Sequence, residues 1–295
     1  MPCSLSILRR LLACLALLSV SALAADAKRL LIVGQGSDGH PVTTHEFTAG
    51  ANVLAELLKP FSEIKATVVN ADEPWPQGPE LIDASDGIVM FVTQGAMWMQ
   101  VEPRRWAALK RLAARGGAII AIHWSVGAKE PQYIQGQLDL LGATRGGEQR
   151  KYQKLETTLK RIDPGHPILR GVTEDIKVYD EFYYALDQAP GIHPLMSASI
   201  DGKDENVVWS LERPDGGRAF GFVPLHFHSN WQLPAYRRII VQGVLWSLKM
   251  PVPRQGVNVD IDPKKLELNG VLPPPAGPEP EKKKKGKSKT AKEEK

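Results

Sequence analysis

Along residues 28–122 the apolar positions alternate between two periods. Residues 29–33 form a short apolar run that stops at glycines, and 64–70 form a second. Residues 87–92 and 118–122 are continuous apolar runs, as strands buried on both faces should be. Between them, 46–61 repeats apolar residues at helical spacing, with Ala49, Val53, Leu54, Leu57 and Leu58 on one face. Residues 102–115 predict a second helix, with Trp106, Leu109, Leu112 and Ala113 inward and Arg104, Arg105, Lys110 and Arg111 outward, stopped by Gly116-Gly117. Strand, helix, strand in this order predicts a parallel β/α sheet. The second half is richer in strand patterns, over 154–162, 207–211 and 218–223, before a final helix over 234–248. Its inward side carries Tyr236, Ile239, Ile240, Gly243 and Val244. One α/β domain over 28–250 accommodates the pattern, and 251–272, broken by several Pro and Gly, reads as an extended strap or linker.

The two ends change what the charge means. The 295 residues carry a formal net charge of +4, but much of the basic excess lies outside the folded part. Arg9 and Arg10 precede an apolar run that closes in Ala22-Leu23-Ala24, which is the order of a secretory signal over 1–24, cleaved after Ala24. The run is too short to span a bilayer, so a periplasmic or secreted protein with no transmembrane segment is expected. Leu11-Leu12-Ala13-Cys14 has lipobox-like chemistry, but too little apolar sequence separates Arg10 from Cys14, which disfavours lipoprotein anchoring. Residues 273–295 pass from prolines into a Lys-rich run with no apolar periodicity, a composition expected to be disordered. The near-neutral remainder gives no reason to expect a nucleic-acid partner. The tail reads as a solvated segment or a weak contact with an anionic envelope surface. Both cysteines, Cys3 and Cys14, fall in the leader. The mature chain therefore lacks any thiol, which excludes disulfides, Cys-ligated metal and a cysteine nucleophile.

Several clusters could carry chemistry. Gly34-Gln35-Gly36-Ser37-Asp38-Gly39 spells the dinucleotide fingerprint after the first strand. That fingerprint needs a helix to begin inside it and an acidic residue ~20 positions later. Here His40-Pro41 follows, the helix waits until about Thr43, and the second strand ends in Asn70 and Asp72, so NAD(P) binding is disfavoured. Thr43-Thr44-His45-Glu46 reads as a capping box for Glu46, and leaves His40 and His45 at the strand's carboxyl end, where open α/β sheets bind ligands. His45 is either a ligand or acid/base group or a helix-start histidine. His123 follows the strand 118–122 directly, with Trp124 beside it, and Ser125 reads as a helix cap. His166, in Asp163-Pro164-Gly165-His166-Pro167, reads as turn chemistry. Asp180-Glu181-Phe182-Tyr183-Tyr184 is either a polar-ligand surface or a surface acidic pair on an aromatic-packed element. In extended backbone His226 and His228 share a face, and could bind a metal completed by His45, His123 or Glu181, with Trp231 nearby.

Taken in order, these segments resemble the ThuA-like family, named for trehalose utilisation. The resemblance rests on Thr44-His45-Glu46-Phe47, Gly116-Gly117 through His123, Asp163-Pro-Gly-His166-Pro-Ile, Asp180-Glu181-Phe-Tyr, and Gly217-Arg218-Ala-Phe with His226 and Trp246. It spans about 28–250. It implies a class I glutamine amidotransferase-like fold, a flavodoxin-like parallel sheet flanked by helices, with β additions in the second half. In the amidotransferase relatives the turn after the fourth strand holds a cysteine nucleophile, at the place matched by His123. Without a cysteine there, Cys-dependent glutaminase chemistry is excluded. Two departures stand out: Leu225-His226 where the family has Gly-His, and no histidine in Thr93–Trp98 where some relatives carry one.

The expected protein is an exported enzyme acting on a carbohydrate or sugar derivative. His45, His123, Glu181 and His226 are its expected catalytic centre and its candidate ligands for a divalent metal such as zinc. His40, Glu46, Trp124, Tyr183, His228 and Trp231 are the expected ligand-binding residues, the aromatics as walls for a sugar face. Isomerisation, elimination and metal-assisted hydrolysis all use such a set. The alternative is a non-catalytic carbohydrate or small-ligand binding module of the same fold, in which the histidines do not converge; a nicotinamide oxidoreductase is a third reading.

Overall fold

The computed structural model describes residues 26–147 and 150–278. The leader expected over 1–24, with both cysteines, lies outside them, as does the tail beyond Pro278. Five strands form the parallel half of the sheet: β1 (Lys28–Gly34), β2 (Ile64–Asn70), β3 (Gly87–Phe91), β4 (Ala118–Ile122) and, late in the chain, β11 (Arg218–Phe222). Between β4 and β11 come β5 (Ala143–Thr144), β6 (Lys151–Arg161), β7 (Ile176–Tyr184), β8 (Asp187–Gln188), β9 (His193–Ile200) and β10 (Lys203–Glu212). The main sheet has nine strands in the order β2-β1-β3-β4-β11-β10-β9-β6-β7, and β5 pairs β8 separately. Its first five strands repeat the flavodoxin-like order. From β11 onward the pairings are antiparallel, so the β additions form one wing on a parallel core.

The helices are α1 (Phe47–Leu58), α2 (Gly78–Asp83), α3 (Gly95–Val101), α4 (Pro103–Ala114), α5 (Ile134–Leu141) and α6 (Pro234–Ser247). Strands β3 and β4 are buried along their whole length, as continuous apolar runs require. Helix α1 buries Phe47, Val53, Leu54, Leu57 and Leu58, and α6 buries Tyr236, Ile239, Ile240, Gly243 and Val244. In α4, Glu102 caps the first turn by accepting from the N–H groups of Arg104 and Arg105, with Pro103 at the first helical position. One face of α4 differs from the expected pattern. Arg105 is buried, its guanidinium 4.4 Å over the Trp98 ring and paired with Glu73, while Trp106 is only partly buried. Stacking on an aromatic face offsets part of the desolvation of that cation.

Residues 251–272 run as an extended strap across α6. Val257 donates its N–H to Gln242 Oε1, and Arg237 and Arg238 donate to the carbonyls of Val259 and Val257. The strap's own Val252, Val257, Val259 and Leu266 are buried. Among the described residues, no helix is long and apolar enough to cross a membrane.

Candidate active site

Parallel registers bring the carboxyl ends of the core strands to one level. Gly34 pairs with Phe91, Met90 with Ala121, and Ile122 with Phe222. The loops leaving that level carry His45, His123 and His226, and the wing strand β7 returns over them with Glu181 and Tyr183. One ligand atom from each of His45, His123, Glu181 and His226 lies within 4.8 Å of all the others. All four residues are buried.

Strained backbone and buried hydrogen bonds fix each side chain. His45 and His123 both have positive φ, +53° and +50°, an uncommon conformation for residues with a side chain. At His45 this replaces the expected capping box. Glu46 accepts from the Thr43 N–H at 3.0 Å, but the helix starts only at Phe47 and has no side-chain cap. His123 turns sharply off β4. Ser125 is not a helix cap: its hydroxyl donates to the Met90 carbonyl and accepts from the Val92 N–H, both at 2.8 Å, which ties the turn to β3. His226 is held through its backbone, whose N–H donates to Asp180 Oδ1 at 3.0 Å while the Leu225 N–H donates to Oδ2 at 2.7 Å.

The orientation of the imidazoles follows from their outer partners. His123 Nδ1 donates to the Val223 carbonyl at 2.9 Å, since a carbonyl can only accept. Its Nε2 therefore presents a lone pair inward. His45 Nδ1 donates to Asp38 Oδ2 at 2.7 Å, which also turns a lone pair inward at Nε2. These two Nε2 atoms stand 3.0 Å apart, with His226 Nδ1 at 3.1 Å and the Tyr183 hydroxyl at 3.2 Å from His123 Nε2. Glu181 Oε1 lies 3.9 Å from His123 Nε2 and 3.8 Å from His226 Nδ1. Two lone pairs at hydrogen-bond distance with no proton between them repel, and a cation relieves that repulsion. Three nitrogens and one carboxylate oxygen suit zinc or a similar divalent ion. Asp38 behind His45 and the Val223 carbonyl behind His123 are the outer partners such ligands use.

The electrostatics agree with that donor set. Burial lowers His45, and lowers His123 well below the ordinary histidine value, helped by its neighbours His45 and His226. Burial also lowers His226. All three rings are neutral near pH 7, as metal ligands must be. Burial pushes Glu181 up to about 7, opposed by the positive charge of Arg145. Burial also works to raise Asp38, but hydrogen bonds from His45 and Thr93 outweigh it and hold the group well below the usual carboxylate range.

A cavity of about 860 Å³ opens over the cluster. His45, Glu181, His226, His40, Trp124 and Tyr183 line it, together with Asp38, Thr93, Arg145 and Tyr152. His123 sits just beneath, touching Tyr183. His40, at the mouth, donates from Nδ1 to Asp38 Oδ1 at 2.8 Å and lies against His45, the ring centroids 3.8 Å apart and the planes tilted by 37°. Glu46, His228 and Trp231 do not line this cavity. They surround a small recess behind His45 and His123, with Phe47 and Phe91. His228 is placed there because a 3-10 turn begins at residue 228 and breaks the extended backbone that would keep it beside His226. The glycine loop also serves the site. Gln35 Oε1 accepts from the Thr93 N–H at 2.8 Å, and the Thr93 hydroxyl donates to Asp38 at 2.7 Å. Asp38 was open to view only as a variable position within the glycine motif, and Arg145 carried no sequence signal.

The fold and the cluster define an α/β protein with a flavodoxin-like core and a histidine–carboxylate centre at the strand ends. The chain belongs to the ThuA family, described as trehalose utilisation, which matches residues 32–247. Among solved structures it is similar to a ThuA-like protein from Bacteroides uniformis, with TM-score 0.60 and 12% identity over 76% of this chain and 93% of that one. It is also similar to a cytoplasmic protein from Salmonella typhimurium, with TM-score 0.52 and 13% identity over 75% of this chain and 98% of that one. A glutaminase domain from Trypanosoma brucei matches at TM-score 0.45 and 8% identity, over 78% of this chain and 98% of that one. No curated protein matches in sequence.

Proposed function

We propose that this chain is a divalent-metal-dependent enzyme acting on a carbohydrate, exported by its N-terminal leader. The observation that carries the reading is the 3.0 Å approach of His45 Nε2 and His123 Nε2, each with its outer nitrogen already committed as a donor. His45, His123, His226 and Glu181 would hold the ion, zinc by the chemistry of the donors. A divalent ion there supplies Lewis-acid polarisation of a substrate oxygen. The chain's own groups do the rest. Tyr183 offers a hydroxyl beside His123, and burial keeps that hydroxyl protonated, so it can donate to a substrate oxygen. His40 spends Nδ1 on Asp38, which leaves Nε2 to take or return a proton at the mouth. Tyr152, exposed at the rim of the cavity, gives an aromatic face for the apolar side of a sugar ring, which, with the family's association with trehalose utilisation, supports the substrate class.

Metal analysis of the purified full chain, paired with sugar binding, tests this. About one zinc per chain is expected, lost in His123→Ala and in His226→Ala, together with turnover of the sugar substrate. A chain that takes up no metal after zinc dialysis sinks the metal centre. Sugar binding that survives in both variants, without turnover in the wild type, identifies a binding module instead.

A further inference from the structure

Arg145 lies just after β5 and is 6% exposed. Aromatic rings surround its guanidinium, whose central carbon is 4.5 Å from the Tyr183 ring centre, 4.8 Å from Trp124 and 5.0 Å from Tyr152. Its backbone is clamped, the N–H donating to the Val126 carbonyl and the C=O accepting from the Ala128 N–H, both at 3.1 Å. Nε donates to the Lys151 carbonyl at 3.2 Å. Nη1 and Nη2 have no hydrogen-bond partner among the described residues, and no described carboxylate oxygen lies within 4 Å of the guanidinium. In the other buried arginines at least one terminal nitrogen is paired: Arg105 reaches Glu73 through Nη1 alone, Arg213 reaches Asp215 and two carbonyls, and Arg237 reaches the carbonyls of Val259 and Trp231. Cation–π contacts offset part of the cost of burying a guanidinium, but they satisfy none of its donors. These free donors line the cavity that holds the histidine cluster.

Neither of the cavity's own carboxylates is paired with the guanidinium, although the Glu181 charge acts on it. Asp38 holds His45 and His40, and Glu181 faces the histidines. Lys129 and Arg150 also line the cavity and add positive charge. We propose that Arg145 receives a carboxylate of the substrate, so that the carbohydrate is a sugar acid. A planar guanidinium with two free terminal nitrogens matches a planar carboxylate in a two-bonded fork. Tyr183 sets the reach of the substrate, because one ring carries Arg145 on its face and its hydroxyl against His123. An acid bound at Arg145 thus lies along the ring with its hydroxyls toward the histidine cluster. This inference rests on the carbohydrate reading of the cavity and sharpens it, since trehalose itself is uncharged.

The test is calorimetric titration of the zinc-treated full chain with glucuronate, galacturonate and gluconate, against glucose and galactose, with glucose 6-phosphate as a further arm. At least one sugar acid is expected to bind tenfold or more tightly than its neutral counterpart. Arg145→Met should erase that difference at unchanged zinc content, and Arg145→Lys should keep part of it. The wild-type comparison decides the matter even if the variants fold poorly. Neutral sugars binding as tightly as the acids would overturn the role of Arg145 and leave the carbohydrate reading standing. Discrimination by the phosphate ester alone would overturn the carboxylate. Binding of none of these sugars would remove both readings, and zinc content, measured separately, would still report on the metal centre.

Discussion

Asp180 holds His226 from behind: its Oδ1 accepts from the His226 N–H at 3.0 Å, while its Oδ2 accepts from the Leu225 N–H and the Tyr236 hydroxyl. The next residue on the same strand, Glu181, faces the front of the cluster. Alternation along β7 thus gives two adjacent carboxylates opposite tasks, one structural and one chemical. It also joins the wing to the parallel core at the one place where the site needs both.

Replacing Asp180 should therefore be costly. Asp180→Ala leaves four buried donors unpaired, the N–H groups of Glu181, Leu225 and His226 and the Tyr236 hydroxyl, and a loss of about 3–5 kcal/mol in unfolding free energy is expected. Asp180→Asn keeps one acceptor oxygen but sets an amide NH2 against existing donors, for an expected loss of about 1–3 kcal/mol. Urea titration checks both, and an unchanged midpoint in either would contradict the clamp.

Asp38 acts on the site through His45. Its carboxylate orients the ring and raises the basicity of the inward nitrogen, so Asp38→Asn should weaken zinc binding by roughly 10–100-fold. Chelator competition against the wild type measures this, and Asp86→Asn, at the opposite end of β1, serves as the comparison. Equal affinities for Asp38→Asn and wild type would remove the outer-partner role.

The turn that carries His123 tolerates no added bulk at Gly95. A Cβ there would lie 2.2 Å from the Ser125 carbonyl oxygen. Gly95→Ala should lower stability by about 1–3 kcal/mol and displace the turn. Thermal unfolding with zinc titration reads both effects, and a wild-type melting curve would show that α3 and the turn are not packed as described.

His166 makes stability depend on pH away from the site. Burial and the neighbouring His193 lower it to about 4, and its Nδ1 accepts from the Ile168 N–H at 3.2 Å, a bond that needs the neutral ring. The unfolded chain, with an ordinary histidine near 6.5, binds the extra proton first as pH falls. Stability from this group is complete above about 6.5 and drains away toward 4. His166→Asn retains an acceptor without titrating, so its urea midpoint should fall less steeply than the wild type's between those values. Parallel pH profiles would refute the assignment.

The parallel half of the fold was legible because its strands are buried on both faces, and burial writes continuous apolar runs such as Ile88–Phe91 and Ala118–Ile122. The wing was harder. Strand β7 alternates at first, with Lys177 exposed between buried Ile176 and Val178, but Asp180 and Glu181 are both buried beside Phe182 and Tyr183, so period-two alternation fails at the site. Helix α3 has no capping residue and follows a left-handed Gln94, so nothing local announces it. The same split holds in the site. His45, His123 and His226 stand in loops after apolar strands and Glu181 beside aromatics, so their types and places could be read. Arg145 could not, because only the folded chain brings Trp124, Tyr152 and Tyr183 around it. Arg105 shows the converse: a charge assigned to solvent is buried because Trp98 and Glu73 come to meet it.

The division of the sheet into two halves has a consequence for how such a protein can diversify. The imidazoles come from the parallel strands, whereas Tyr152 and Tyr183, which flank Arg145, come from the hairpin β6–β7 at the sheet's free edge. On the proposed reading, substitutions on those two strands other than at Glu181 re-aim selectivity while the histidines stay in register, so one centre can be fitted with interchangeable jaws.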